Sequence, residues 1–71
     1  MPMFERSDIK KRLLEELAKY ERENLYALKK ASAFQLAKDL DASENAVSQI
    51  LRHLKYEGIV TKSSGGSWHL I

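Results

Sequence analysis

The chain has 71 residues, of which 44% are hydrophobic and 31% are charged, a composition typical of one folded domain. The absence of cysteine excludes disulfides and thiolate metal sites, and His53 and His69 lack a third ligand at metal-binding spacing. No run approaches the ~18 apolar residues of a membrane span, and the first residues lack a secretory signal core. We therefore expect a single cytoplasmic domain over residues 1–71, with no metal, cofactor or membrane partner.

The net charge of +2 is unevenly distributed along the chain. Residues 1–30 contain eight basic and six acidic residues, whereas residues 31–71 contain four of each and are neutral. A protein that binds nucleic acid mainly through long-range attraction is usually more basic than this. If the partner is DNA, the placement of a few cations has to matter more than the total charge.

Apolar residues at helical spacing predict a first helix from Ser7 or Asp8 to about Glu23. Ser7 is a suitable N-cap, and a negative charge at Asp8 suits the positive end of the helix dipole. Asn24 tolerates the left-handed conformation that often ends a helix. The next segment, Leu25–Ala31, is open to two interpretations, because it either continues the helix after a kink or contains a short extended stretch.

Two short helices joined by a tight turn are predicted next. Ser32 is expected to cap a helix over Ala33–Leu40, and Ser43 to cap another that ends near Glu57. Between them, Asp41–Ala42 forms the turn, where aspartate tolerates left-handed backbone. The side chains expected to face inward are apolar residues at helical spacing: Leu36, Ala37, Leu40, Val47, Ile50, Leu51 and Leu54.

A C-terminal β-hairpin is predicted from two β-favouring runs, Ile59–Lys62 and Ser67–Ile71, on either side of Ser63–Gly66. Gly58 suits the left-handed position that ends the preceding helix. Trp68 is expected to cover the core from one face of the second strand. The predicted fold class is therefore α+β, mainly α, with three helices followed by a β-hairpin.

This order of elements resembles the winged helix-turn-helix superfamily. The segment Ala42–Val60, ASENAVSQILRHLKYEGIV, is similar to the cap, recognition helix and exit of compact prokaryotic and archaeal repressors. The repressors in question are of the multiple-antibiotic-resistance and arsenical-resistance types. The resemblance implies sequence-selective binding of double-stranded DNA in transcriptional regulation, with the third helix in the major groove.

The resemblance also implies a set of DNA-contacting residues. Gln49 and Arg52 are the best candidates for reading bases, because glutamine can pair with adenine and arginine with guanine through two hydrogen bonds. Gln49 stands where a basic residue is common in the family, and the hairpin tip, Ser63–Gly66, has no arginine. The implied contacts to bases and phosphates come from both helices and the hairpin: Ser32, Ser43, Asn45, Ala46, Ser48, Gln49, Arg52 and Lys62.

Two other functions stay open. A winged-helix module for protein–protein interaction in a larger assembly is favoured by the neutral residues 31–71. Trp68 resembles the late-hairpin tryptophan of winged helices that bind Z-form duplexes, although Ser48 and Arg52 stand where that family has Asn and Tyr. An enzyme is not expected, because the sequence has neither a phosphate-binding loop nor a paired acid–base arrangement.

Four apolar residues near helix one have no assigned place in the predicted core: Met1, Met3, Phe4 and Tyr26. They are expected either to pack under helix one or to form the contact of a two-fold homodimer. Repressors of this class read pseudo-palindromic sites as dimers, so a homodimer through helix one and the lead-in is a natural expectation.

Overall fold

The computed structural model describes residues 6–71, with side chains from Asp8 onward, as three α-helices followed by an antiparallel hairpin. The predicted fold class, α+β and mainly α, is confirmed. No helix among these residues has the length and apolar character needed to cross a membrane. The elements are, in chain order, α1 (Arg6–Arg22), a 3₁₀ helix (Leu25–Ala27), α2 (Ala33–Leu40), α3 (Glu44–Tyr56), β1 (Val60–Lys62) and β2 (Trp68–Leu70).

The first helix differs from its prediction at one end only. Arg6 and Ser7 are already helical, so the predicted N-cap at Ser7 is wrong, and Ser7 belongs to the first turn of α1. Arginine is itself a good helix former, which allows the helix to start before the best capping residue. At the other end α1 stops at Arg22, and Asn24 adopts the predicted left-handed conformation with φ 53° and ψ 42°.

The segment after α1 follows neither of the two interpretations, because it forms the short 3₁₀ helix. Tyr26 in this helix is half-buried and packs against the core, with its ring centroid 5.3 Å from that of Tyr20 and 4.2 Å from that of His69. Tyr26 Oη donates a hydrogen bond to the carbonyl oxygen of Trp68 at 2.7 Å. Tyr26 therefore belongs to the fold, while Met1, Met3 and Phe4 lie outside the described residues.

Local capping signals determine the bounds of α2 and α3. Ser32 Oγ accepts a hydrogen bond from Gln35 N, and Ser43 Oγ accepts one from Ala46 N, both at 3.1 Å. Each bond satisfies an amide that the first turn of a helix leaves without an intrahelical partner. Asp41 takes the left-handed conformation, with φ 54° and ψ 48°, as predicted for the turn. The predicted caps and turn are confirmed.

The hairpin is attached to the helices through Ala31, two residues before α2. Trp68 N donates to Ala31 O at 3.0 Å, and Ala31 N donates to Ser67 Oγ at 3.2 Å. The strands pair with Val60 opposite Leu70 and Lys62 opposite Trp68. The first strand begins one residue later than predicted, since it runs from Val60 to Lys62.

One core lies between the three helices and the hairpin. The inward faces predicted for α2 and α3 are confirmed, since every predicted residue is buried. Arg12 ties α1 to the end of α2 by donating from Nη2 to Leu40 O at 3.1 Å. The buried apolar residues are Ile9, Leu13, Leu17, Tyr20, Ala31, Leu36, Ala37, Leu40, Val47, Ile50, Leu51, Leu54, Val60 and Trp68.

Candidate nucleic-acid interface

The outward face of α3 is fixed by the face that the helix buries. Val47, Ile50, Leu51 and Leu54 are at most 6% exposed, and together they occupy one side of the helix. At 3.6 residues per turn, the opposite side is centred on Asn45 and on the residues four, seven and eleven positions after it. The core packing therefore selects which polar side chains α3 presents to a partner.

We call this outward row the α3 stripe, and it consists of Asn45, Gln49, Arg52 and Tyr56. Helical geometry places the four within an arc of about 60° and along about 16 Å of the helix axis. Asn45, Arg52 and Tyr56 are exposed, whereas Gln49 is half-buried. The stripe thus combines two amides, one guanidinium and one phenol on a single line.

The other residues predicted on or near α3 lie in different settings. Ser48 is half-buried beside the stripe, and the Ser43 hydroxyl accepts the capping bond from Ala46 N at 3.1 Å. Ala46 was predicted to face the bases, but it is half-buried and packs against the core. Its position one residue before Val47 turns it toward the side of the helix.

Lys62 lies on the hairpin, opposite Trp68 in the strand register. Its Nζ is 5.6 Å from the centroid of the Trp68 ring, within the range of a cation–π contact. Trp68 is 6% exposed and belongs to the core, which confirms the expectation that it covers the core. The buried ring leaves little surface for a ligand, so Trp68 acts in packing and in holding Lys62.

Charges near the stripe are mixed in sign. Arg52 and Lys55 are exposed on α3, and so is Glu44 in its first turn. At the other end of the helix, Lys10 Nζ lies 3.8 Å from a carboxylate oxygen of Glu57. Both side chains of that pair are about half exposed, so the pair offsets charge locally without strongly holding the structure together.

A second polar cluster surrounds Asp39 on α2. The carboxylate accepts hydrogen bonds from Tyr20 Oη at 2.7 Å and Gln35 Nε2 at 2.9 Å. It also lies 3.3 Å from Lys29 Nζ. Burial by itself would raise the pKa of Asp39, but the hydrogen bonds from Tyr20, Gln35 and Lys29 outweigh it and lower the pKa. Burial, and then the bond to Asp39, raises the pKa of Tyr20.

The hydrogen bonds of the Asp39 cluster hold separate parts of the fold together. Its one carboxylate is held in the charged state by three donors, and those donors join α1, α2 and the segment between them. Over residues 6–71, no three histidine or acidic side chains are arranged to hold a metal ion. The α3 stripe, Ser48 beside it and the neighbouring hairpin carry polar residues that the sequence predicts as contacts: Asn45, Ser48, Gln49, Arg52 and Lys62.

One member of the stripe, Tyr56, is absent from the sequence-based set of contact residues. Tyr56 is 92% exposed, and it lies eleven residues after Asn45 on the same side of α3. The signal that could have found it is spacing, because offsets of four, seven and eleven return to one helix face.

Protein-family models, curated proteins and solved structures contain no significant match to this chain.

Proposed function

We propose that the chain is a winged helix-turn-helix domain that binds double-stranded DNA sequence-selectively and regulates transcription. In this proposal α3 enters the major groove and the β1–β2 hairpin contacts the flanking backbone. The action is binding and occlusion, with no chemical step. A DNA-binding role of this prokaryotic type implies a cytoplasmic protein.

The observation that carries the proposal is the α3 stripe itself. Asn45, Gln49 and Arg52 are residue types that read base edges, and the buried face of α3 directs them away from the core. The major groove is about 12 Å wide, and it accommodates an α-helix with such side chains. The caps at Ser32 and Ser43 support the proposal, because they fix where the two helices begin on either side of the turn.

The distribution of charged residues favours a few specific contacts over general electrostatic attraction. Lys62 is held over Trp68 at 5.6 Å on the hairpin, where a backbone phosphate would meet it. Arg52 is the cation on the stripe itself. With residues 31–71 neutral, a small number of phosphate contacts has to be combined with direct base readout.

The proposal is tested by selecting duplexes from a random-sequence pool with the wild-type chain, and then measuring binding of the selected duplex by variants. Arg52→Ala is expected to reduce discrimination at one position of the site by about 1–3 kcal/mol. Gln49→Ala is expected to reduce it at a different position by a similar amount.

Lys55→Ala is the matched control, because it removes one exposed positive charge from α3 beside the stripe. It is expected to weaken binding to all duplexes equally and to leave the selected sequence unchanged. If no sequence is enriched, or if Arg52→Ala and Lys55→Ala behave alike, sequence-selective reading by the stripe is wrong.

A protein-interaction module is the second candidate function. It is favoured by exposed apolar side chains in two places. Tyr56 at the end of α3 is 92% exposed, and at the open end of the hairpin Ile59 is 37% and Ile71 79% exposed. Ile71 N donates to Ile59 O at 3.0 Å, so these two residues are neighbours. A partner bound through this surface would be lost on Ile71→Asp, a change that duplex binding through the stripe would tolerate.

A homodimer is part of the DNA-binding proposal, through α1 and the residues before it. Two-fold symmetry would match two half-sites of one duplex. Sedimentation equilibrium of the full chain, with and without the selected duplex, measures it directly. A monomer in both conditions would restrict recognition to a single half-site.

A further inference from the structure

Tyr56 is the most exposed large apolar residue among residues 8–71, at 92%. Exposing an aromatic ring forfeits the stabilisation that its burial would give. The exposed ring is also placed in line with Asn45 and Arg52 on the α3 stripe. Tyr56 therefore extends the stripe to the last residue of the helix.

The length of the stripe determines what each end can reach on a duplex. Asn45 and Tyr56 are separated by about 16 Å along the helix axis. This exceeds the ~12 Å width of the major groove, so the two ends of a helix that crosses the groove cannot both lie over base edges. If α3 crosses the groove with Asn45 and Arg52 over bases, Tyr56 would reach the sugar–phosphate wall.

The charges at this end of α3 are of both signs. The C-terminus of a helix carries partial negative charge, and Glu57 follows directly after Tyr56. Lys10, 3.8 Å from Glu57, and the exposed Lys55 offset that charge in part. A phenol can donate to a phosphate oxygen without adding a charge of its own.

We infer that Tyr56 Oη donates a hydrogen bond to a DNA backbone phosphate and thereby fixes the angle of α3 in the groove. The inference rests on the proposed function, since it assumes that α3 binds a duplex. Tyr56 is a contact that positions the helix and reads no base.

The test is Tyr56→Phe, which removes the hydroxyl and keeps the ring, measured on the duplex selected by the wild-type chain. Affinity is expected to fall about ten- to hundredfold, the net effect of one hydrogen bond to a charged acceptor. The slope of log affinity against log salt is expected to stay unchanged, because no cation is removed. Lys62→Gln provides the contrast. It removes one cation that is proposed to contact a phosphate, so the magnitude of the slope is expected to fall by about one.

Ethylation interference gives a readout that a purely structural role would not move. Ethylating the phosphate that Tyr56 contacts is expected to weaken duplex binding by the wild-type chain and to leave duplex binding by Tyr56→Phe unchanged. His53→Ala is the control on the same helix, with an exposed side chain beside the stripe, and it is expected to retain the full pattern.

The outcomes separate the inference from the proposed function. If the wild-type chain binds no duplex, the proposed function fails and the inference fails with it. If Arg52→Ala weakens selective binding while Tyr56→Phe binds like wild type, only the inference is overturned. It is also overturned if Tyr56→Ala weakens binding but Tyr56→Phe does not, because the contact is then made by the ring.

Discussion

Tyr26 and Trp68 are joined by a hydrogen bond from Tyr26 Oη to the Trp68 carbonyl oxygen at 2.7 Å, across 42 residues of sequence. The same tyrosine stacks on His69 with an angle of 22° between the rings. Trp68 N donates to Ala31 O at 3.0 Å, so both backbone polar groups of Trp68 have partners in the segment between α1 and α2. The hairpin is therefore docked on the helices by its second strand.

Tyr26→Phe is expected to destabilise the fold by about 1–2 kcal/mol. The change keeps the ring stacked on His69 and leaves the Trp68 carbonyl without its phenol donor. Urea unfolding followed by the fluorescence of Trp68, the single tryptophan, measures the loss. Tyr56→Phe is the control, and it should be neutral within about 0.5 kcal/mol because Tyr56 is 92% exposed.

Asp39→Asn is expected to lower stability at pH 7 by about 1–3 kcal/mol, because the charged acceptor of three donors is lost. The pKa of Asp39 is lowered in the fold, so its contribution is present above the unfolded pKa of about 3.9 and is lost as pH falls through the folded value. The difference in unfolding free energy between wild type and Asp39→Asn should therefore shrink below about pH 4. A difference that stays constant down to pH 2 would contradict this role of Asp39.

The sequence predicts those parts of the fold that depend on neighbouring residues. Ser32 and Asp41 bound α2 through bonds and angles within one turn, and the predicted helix Ala33–Leu40 matches the observed one. Ser43 does the same for the start of α3. Such signals act over three or four residues, which is why they can be read from the chain directly.

The features that the sequence does not predict depend on distant contacts or on competing local signals. Tyr26 had no assigned place because its partners, Trp68 and His69, are brought to it only when the hairpin docks. The capping signal at Ser7 predicts that α1 starts there. The helix propensity of Arg6 competes with that signal, and the helix begins at Arg6. At the site, Tyr56 can be placed on the outward face of α3 by its spacing from Asn45, but its 92% exposure is known only from the fold.

Ser43→Ala is expected to destabilise the fold by about 1 kcal/mol, since the amide of Ala46 loses the hydroxyl that accepts from it at 3.1 Å. Ser43→Asp keeps an acceptor at the N-cap and should remain within a few tenths of a kcal/mol of wild type. Thermal unfolding by circular dichroism of the three chains gives the comparison. Equal stability of the alanine and aspartate variants would show that the cap does not contribute.

Asp41→Gly is expected to stabilise the fold by up to about 1 kcal/mol, because glycine adopts φ 54° without the strain that a side chain brings. Asp41→Val tests the same position in the opposite direction, and it should cost about 1–2 kcal/mol because a β-branched residue resists positive φ. Denaturant midpoints at constant m-value measure both changes. A stabilising valine would contradict the left-handed turn between α2 and α3.

The proposed binding of a duplex by the α3 stripe implies that affinity falls with salt concentration at a defined rate. Arg52 and Lys62, with up to two further lysines, are the cations expected to meet phosphates, so about two to four counterions should be released. Titrating the wild-type chain with its selected duplex at several salt concentrations is the most direct measurement. The slope of log affinity against log salt concentration is expected to be about −2 to −4. Binding that is undetectable at low salt, or that does not change with salt, would contradict it.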